Sequence, residues 1–143
     1  MPANNFNVGR DVSLVLISPA GQRIDLEIVT GFMAKQNTTK VRVRPLNSPT
    51  IFADLPDGWS GTFDIDRGNS NADDLAFQIE SGYWDAGLIG TGTIYQYVTE
   101  VGGATSTYEF INVTLTLDDA GTYHGDEVVK QKISFSASRR NKL

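Results

Sequence analysis

Few residues in this chain could do chemistry, and their spacing decides against most of it. His124 is the single histidine, so a Ser-His-Asp triad could be built only around it. It sits in AGTYHGDE, a turn-like segment in which a surface histidine is the simpler reading. Acid pairs such as Asp64 with Asp66, or Asp118 with Asp119, suit acid–base work in principle, but nothing sets their environments apart to drive their pKa values in opposite directions. The run DIDRGNSNADD, starting at Asp64, has the oxygen ligands of a calcium loop. Its spacing places Gly68 at position five, Asn69 where the loop needs glycine and Leu75 where a bidentate glutamate belongs, so the EF-hand pattern fails. The glycines of LIGTGT are not followed by lysine and lie in a β-rich context, which is wrong for a phosphate-binding loop. With no cysteine, thiol chemistry, a disulfide framework and a cysteine-held metal are all excluded. The expectation is a chain with no catalytic residue, no metal and no cofactor.

The elements that carry these residues are mostly strands. Val12–Ile17 and Arg23–Val29 flank the turn Ser18-Pro19-Ala20-Gly21 and read as a β-hairpin, with Ile24, Leu26 and Ile28 alternating with Asp25 and Glu27. Thr38–Arg44 is a one-sided strand whose polar face, Lys40, Arg42 and Arg44, is wholly basic. Three prolines in PLNSPTIFADLP remove backbone donors, so residues of about 44–56 are expected as a projecting loop exposing Leu46, Ile51 and Phe52. Trp59, Gly61, Phe63 and Ile65 then alternate with Ser60, Thr62, Asp64 and Asp66, the period of a strand with one wet face. After Arg67-Gly68 the period changes. Ser70 or Asn71 caps a helix, Asp73 and Asp74 suit its N-terminal dipole, and Ala72, Leu75, Ala76, Ile79 and Tyr83 share one face. Thr91–Val101 and Thr107–Leu117 form a long hairpin through Gly102-Gly103. In its second arm, alternation predicts Ile111, Val113, Leu115 and Leu117 as the core face and Phe110, Asn112, Thr114 and Thr116 as the other. Glu127–Ser138 is a last strand with Val129, Gln131, Ile133, Phe135 and Ala137 on one parity, before a basic tail over 138–143.

At 143 residues, with 40% hydrophobic and 20% charged residues, the chain fits one folded domain, 1–143, with a polar N-terminal arm over 1–10. No apolar run is long enough to span a bilayer and the start lacks the apolar stretch of a signal peptide, so no membrane partner and a cytoplasmic origin are expected. The net charge of −5 hides an uneven distribution: +3 over residues 1–44, −13 over 45–129 and +5 over 130–143. Solvated charges neutralised within the fold give that pattern, and so do basic ends that meet the acidic middle of a neighbouring copy, where complementary fields fix register. Lys40, Arg42 and Arg44 with Arg139-Arg140 could contact nucleic acid, but a pI of about 4.7 is far from the basic footprint of a protein built to hold it.

The order of elements, and above all GTFDIDRGNSNADDLAFQIESGYW, a one-sided strand ending in Asp66-Arg67 and a short helix leading to Tyr83 and Trp84, resembles the tail tube proteins of contractile-tailed bacteriophages. The likeness covers nearly the whole chain and rests on layout more than on an invariant motif. It implies a mainly β fold, two packed antiparallel sheets as a β-sandwich or barrel with one flanking helix, forming a subunit of a hexameric ring. Rings of this family stack into a tube whose inner β-barrel is shared between subunits and whose lumen passes DNA. The tubes of type VI secretion and contractile bacteriocins have the same plan. The resemblance implies a virion tail protein assembled in the host cytoplasm. Its partners would be copies of itself together with sheath, baseplate and tail-terminator proteins, and it would meet DNA only as non-specific passage.

On that plan Asp25, Glu27, Asp64 and Asp66 are the candidate lumen carboxylates, which would repel phosphates and leave water between wall and DNA. Leu46, Ile51 and Phe52 are candidates for contacts between rings, and Lys40, Arg42, Arg44, Arg139 and Arg140 for contacts between subunits. Two other classes stand beside this reading: a β-sandwich carbohydrate- or receptor-binding module with Trp59, Tyr83 or Trp84 as a stacking platform, and a hydrolase built on His124.

Overall fold

The computed structural model describes residues 12–24 and 28–143. Among the described residues there are eight strands and one helix in the order β1 (Val12–Ile17), β2 (Arg23–Ile24), β3 (Ile28–Val43), β4 (Ile51–Asp66), α1 (Asn71–Ala86), β5 (Gly92–Thr99), β6 (Thr105–Asp119), β7 (Lys130–Ala137) and β8 (Arg139–Lys142). All neighbours pair antiparallel, along β2-β1-β5-β6-β7-β4-β3, with β8 also on β6. The hairpin expected at the start is present, with Leu16 opposite Ile24 and Ile17 opposite Arg23.

Strand β6 turns this single path into two packed layers. Its first part pairs with β5 and β8, up to Val113 and Ile111 respectively, and its second part, from Thr114, pairs with β7. Between Phe110 and Val113 it carries one residue more than β5, and Asn112 takes the left-handed backbone with φ 52°. Asparagine tolerates that region, and such a bulge re-aims a strand from one sheet to the next. The face predicted from strict alternation is therefore corrected. Val113 and Leu115 are core residues as expected, but Phe110, placed on the wet face, is fully buried, because the bulge resets the parity.

The core between the layers is aromatic. Phe110 from the first layer meets the Phe135 ring edge-on at 5.6 Å, Phe135 stacks on Phe32 at 5.7 Å, and Phe63 lies 5.4 Å from Phe135, with Leu16, Ile94, Ile65 and Ile133 around them. Tilted and edge-on pairs of this kind match positive ring edges to negative faces. Gly61 makes room for them, since a Cβ there would run into the Met33 carbonyl oxygen and lie 2.8 Å from the Phe135 ring.

The helix is anchored by the acids of the calcium-like run. Ser70 occupies the N-cap position without a side-chain bond to the backbone, its hydroxyl donating instead to Asp74 at 3.0 Å, while the Asn69 side-chain oxygen accepts the Asn71 N–H at 3.0 Å. Asp73 accepts from Arg67 Nε at 3.1 Å and from Gln131 Nε2 at 3.0 Å. Gln131 also reaches the Ala120 carbonyl, so one buried amide ties the helix start to β7 and its preceding turn. At the other end Gly87, with φ 66°, closes the helix through its N–H to the Tyr83 carbonyl. Ala72 and Leu75 are buried, whereas Tyr83 at the end of the expected face is half exposed.

At the chain's periphery one expectation is corrected and another gains a strand. The projecting loop of about 44–56 is a loop only over residues 44–50, since from Ile51 the chain is already in β4, paired with β3 from Val43↔Ile51 down to Thr38↔Pro56. Over these residues β4 has β3 on one side and, among the described residues, no neighbour on the other, and an edge position tolerates the missing N–H of Pro56. The basic tail of 138–143 contains a strand, β8, with Tyr108, Glu109, Phe110 and Ile111 opposite Lys142, Asn141, Arg140 and Arg139. The N-terminal arm, Asp25 and Glu27 lie outside the described residues.

Candidate assembly surfaces

The paired ends of β3 and β4 extend past the sandwich as a two-stranded arm. Because opposite residues of an antiparallel pair share a face, its register sorts its side chains. One face carries Val41 opposite Ala53, Val43 opposite Ile51 and Thr39 opposite Leu55; the other carries Lys40 opposite Asp54 and Arg42 opposite Phe52. Arg42 lies 5.9 Å from the centre of the Phe52 ring. Val41, Val43, Ile51 and Leu55 are exposed, so an almost purely aliphatic ribbon face meets water in the single chain. Ile51 and Phe52, grouped together in the sequence, thus point to opposite faces, while Leu46 sits in the tip, fully exposed. At the base of the arm β4 has an extra residue at Asp57-Gly58, a bulge with Gly58 at φ 85°.

On the far side of the second layer an apolar groove of about 380 Å³ runs between the helix and strands β6 and β7. Leu75, Ala76, Ile79, Leu115, Leu117 and Ile133 line it, with Glu80 at its rim. The groove's Ile133 lies opposite Phe63, well along β4 from the arm's Ile51–Pro56, so groove and arm are separated along the strands.

The outward face of this second layer is rich in hydroxyls. Ser60, Thr62 and Asp64 of β4 stand beside Ser136, Ser134 and Lys132 of β7, and Thr114 and Thr116 of β6 complete the rows. Asp64 is exposed on it, as expected for a wet face, and Asp66 follows on the same parity with one carboxylate oxygen buried and unpaired. The face is not a single-sign field, since Lys132 lies opposite Asp64 and Lys130 opposite Asp66.

The remaining candidates divide. Lys40 and Arg42 are exposed on the paired strands of the arm, and Arg44 is exposed at the start of its tip. Arg139 is exposed, but Arg140 turns inward. Its guanidinium lies 3.8 Å from the Tyr108 ring centre, 4.9 Å from Trp59 and 5.6 Å from Phe110, within reach of Gln96 Oε1 at 3.5 Å. Nothing in the hydropathy of SASRRNKL signals this cage, which needs the three rings brought together by β4 and β6. Trp59 is committed to it and to an edge-on contact with Phe110 at 6.0 Å, which removes it as a stacking platform. Tyr83 and Trp84 pack edge-on against each other at 5.0 Å on the exposed end of the helix. His124 is exposed in the turn before β7, and among the described residues no group of three or more His, Asp or Glu side chains could hold a metal ion. Tyr95, across from Glu109, has its pKa raised above the usual 10.0, first by the hydrogen bond to that carboxylate and then by its charge. No helix among the described residues is long and apolar enough to cross a membrane.

No protein-family model and no curated protein matches the sequence. Solved structures do match its fold. A chain of the anti-feeding prophage cap, the tube-terminating cap, aligns over 100% of this chain and 95% of its own with a TM-score of 0.65 at 12% identity. A chain of the sheath–tube complex of the PVC extracellular contractile injection system, in its extended state, aligns over 91% and 87% with a TM-score of 0.61 at 11% identity. Hcp1 of the E. coli pathovar EAEC 042, solved as a double mutant, aligns over 93% and 97% with a TM-score of 0.51 at 11% identity. From end to end, the chain has the fold of the tail-tube-like proteins of contractile injection machines.

Proposed function

We propose that this chain is a structural, non-catalytic subunit that assembles into stacked hexameric rings to form the tail tube of a contractile-tailed phage, the conduit for DNA ejection. The observation that carries the reading is the end-to-end fold match to a chain of the tube-terminating cap. Two further features support it. Among the described residues the second layer has open edges on both sides, at β3 and at the Thr114–Asp119 part of β6, as a sheet must if it is to join its neighbours in a closed barrel. The aliphatic arm face gains burial only against another molecule, and residues the size of Val43 and Ile51 contribute about 1.5–3 kcal/mol each on full burial.

In this reading the outward face of the second layer, with Asp64 and Asp66, lines the lumen. Lys130 and Lys132 balance those acids, so the wall works by hydroxyl-bound water and paired charge more than by repulsion alone. Sheath, baseplate and terminator proteins are the further partners, and the assembled location is the virion tail. Electron micrographs of the purified chain test the proposal: sixfold rings or tubes are expected, and particles of one-chain size at every concentration overturn it.

A further inference from the structure

We infer that the β3–β4 arm of one copy seats its aliphatic face in the groove between the helix and strands β6 and β7 of a second copy. The inference rests on the assembly reading above and adds the partner surface to it. Arm and groove are each apolar and each unfilled within the chain: Val41, Val43, Ile51 and Leu55 are exposed, and no arm residue lines the groove. They do not meet in one molecule, because the groove's Ile133 lies opposite Phe63, seven residues along β4 from Pro56 at the base of the arm, roughly 23 Å at about 3.3 Å per residue. A contact between two different patches of identical chains is head-to-tail and propagates into a ring or a filament.

Size and charge match as well. Six arm residues, Thr38–Val43, span roughly 20 Å as a strand, and the 16-residue helix spans roughly 24 Å, so the ribbon can lie along it. A cavity of ~150 Å³ admits one benzene-sized group, so about 380 Å³ accommodates two or three aliphatic side chains. The arm, residues 38–56, carries Lys40, Arg42 and Arg44 against the single acid Asp54, a net of +2. The helix carries Asp73, Asp74, Glu80 and Asp85 and no base, a net of −4, with Glu80 on the groove rim. With the aliphatic face down, Lys40 and Arg42 stand on the ribbon's outer face, where they reach over its edge to the helix acids.

The absence of cysteine makes the test direct. Ile51→Cys and Glu80→Cys, both at exposed positions, are prepared separately, one with an affinity tag, checked by circular dichroism, mixed, allowed to assemble, imaged and treated with a short bismaleimide. The expected result is a cross-linked species containing one chain of each kind, enriched at least tenfold in the assembled fraction over a dilute one. Ile51→Asp with Val43→Asp should raise the concentration needed for assembly at least tenfold while leaving the fold intact. Rings or tubes in the images without the 51–80 cross-link overturn this docking and leave the tube reading standing. One-chain particles throughout, without cross-link, overturn both.

Discussion

Replacing Arg140 tests whether the C-terminal strand is a built part of the sandwich. The guanidinium lies over Tyr108 at 3.8 Å, with Trp59 and Phe110 at 4.9 and 5.6 Å. A partly desolvated cation on one ring contributes up to about 2 kcal/mol, and the three rings share one charge, so their contributions do not add. The three CH₂ groups of its partly buried stem contribute about 2 kcal/mol more, at about 0.8 per CH₂. Against this, Nε is buried with no acceptor, which costs about 1–3 kcal/mol. Arg140→Ala should therefore destabilise the chain by about 2 kcal/mol, a fall of about 6 °C in Tm for a domain of this size. Arg140→Met, which keeps the stem and removes both the cation's contribution and the orphaned Nε, should be neutral to within about 1 kcal/mol. Urea unfolding by tryptophan fluorescence measures both, and hydrogen exchange at the Phe110 and Arg140 amides locates the effect in β8. A loss under about 0.5 kcal/mol for Arg140→Ala, with unchanged exchange, would refute the reasoning.

Other positions give equally definite outcomes. Gly61→Ala should cost about 2–3 kcal/mol, because its Cβ meets the Met33 carbonyl and the Phe135 ring, and thermal melts will read it. Phe110→Ala, deleting a fully buried ring from the layer interface, should cost about 3–5 kcal/mol in urea. Asn112→Gly should be neutral or stabilising and Asn112→Val destabilising by about 1–2 kcal/mol, since φ 52° suits the first and strains the second. Tyr95 should ionise above the ordinary value of 10.0. Its raised pKa adds stability that is complete below pH 10 and disappears as pH climbs through the folded value, and Glu109→Gln should shrink both effects in an ultraviolet titration referenced to Tyr95→Phe.

The parts of this fold legible in the sequence are those set by local period. The β4 alternation from Trp59 to Asp66, the switch to helix after Gly68 and the inward set Gln131, Ile133, Phe135 and Ala137 all stand as read. The errors share one cause, since each depends on a neighbour that the local pattern cannot see. The parity of β6 resets at a single left-handed asparagine, so alternation carried through Asn112 misplaces Phe110. The prolines suggested a loop because a central strand needs every donor, yet Pro56 lies in a two-stranded ribbon with an open edge. The sequence RRNK has no apolar alternation, and its strand is held by backbone pairing to β6 and by a cation among rings that lie far away in the chain. For the same reason the aliphatic arm face, interrupted at every second residue by Lys40, Arg42, Phe52 and Asp54, emerges only when the register pairs the two strands.

The central claim is that a chain of 15.6 kDa with this fold exists to be one subunit of a tube. Electron microscopy of the purified protein across a concentration series, with class averages examined for symmetry, tests it most directly. Sixfold rings of one diameter that stack into hollow tubes as concentration rises are the predicted result. Particles of single-chain mass at every concentration, with no ring class, would contradict it.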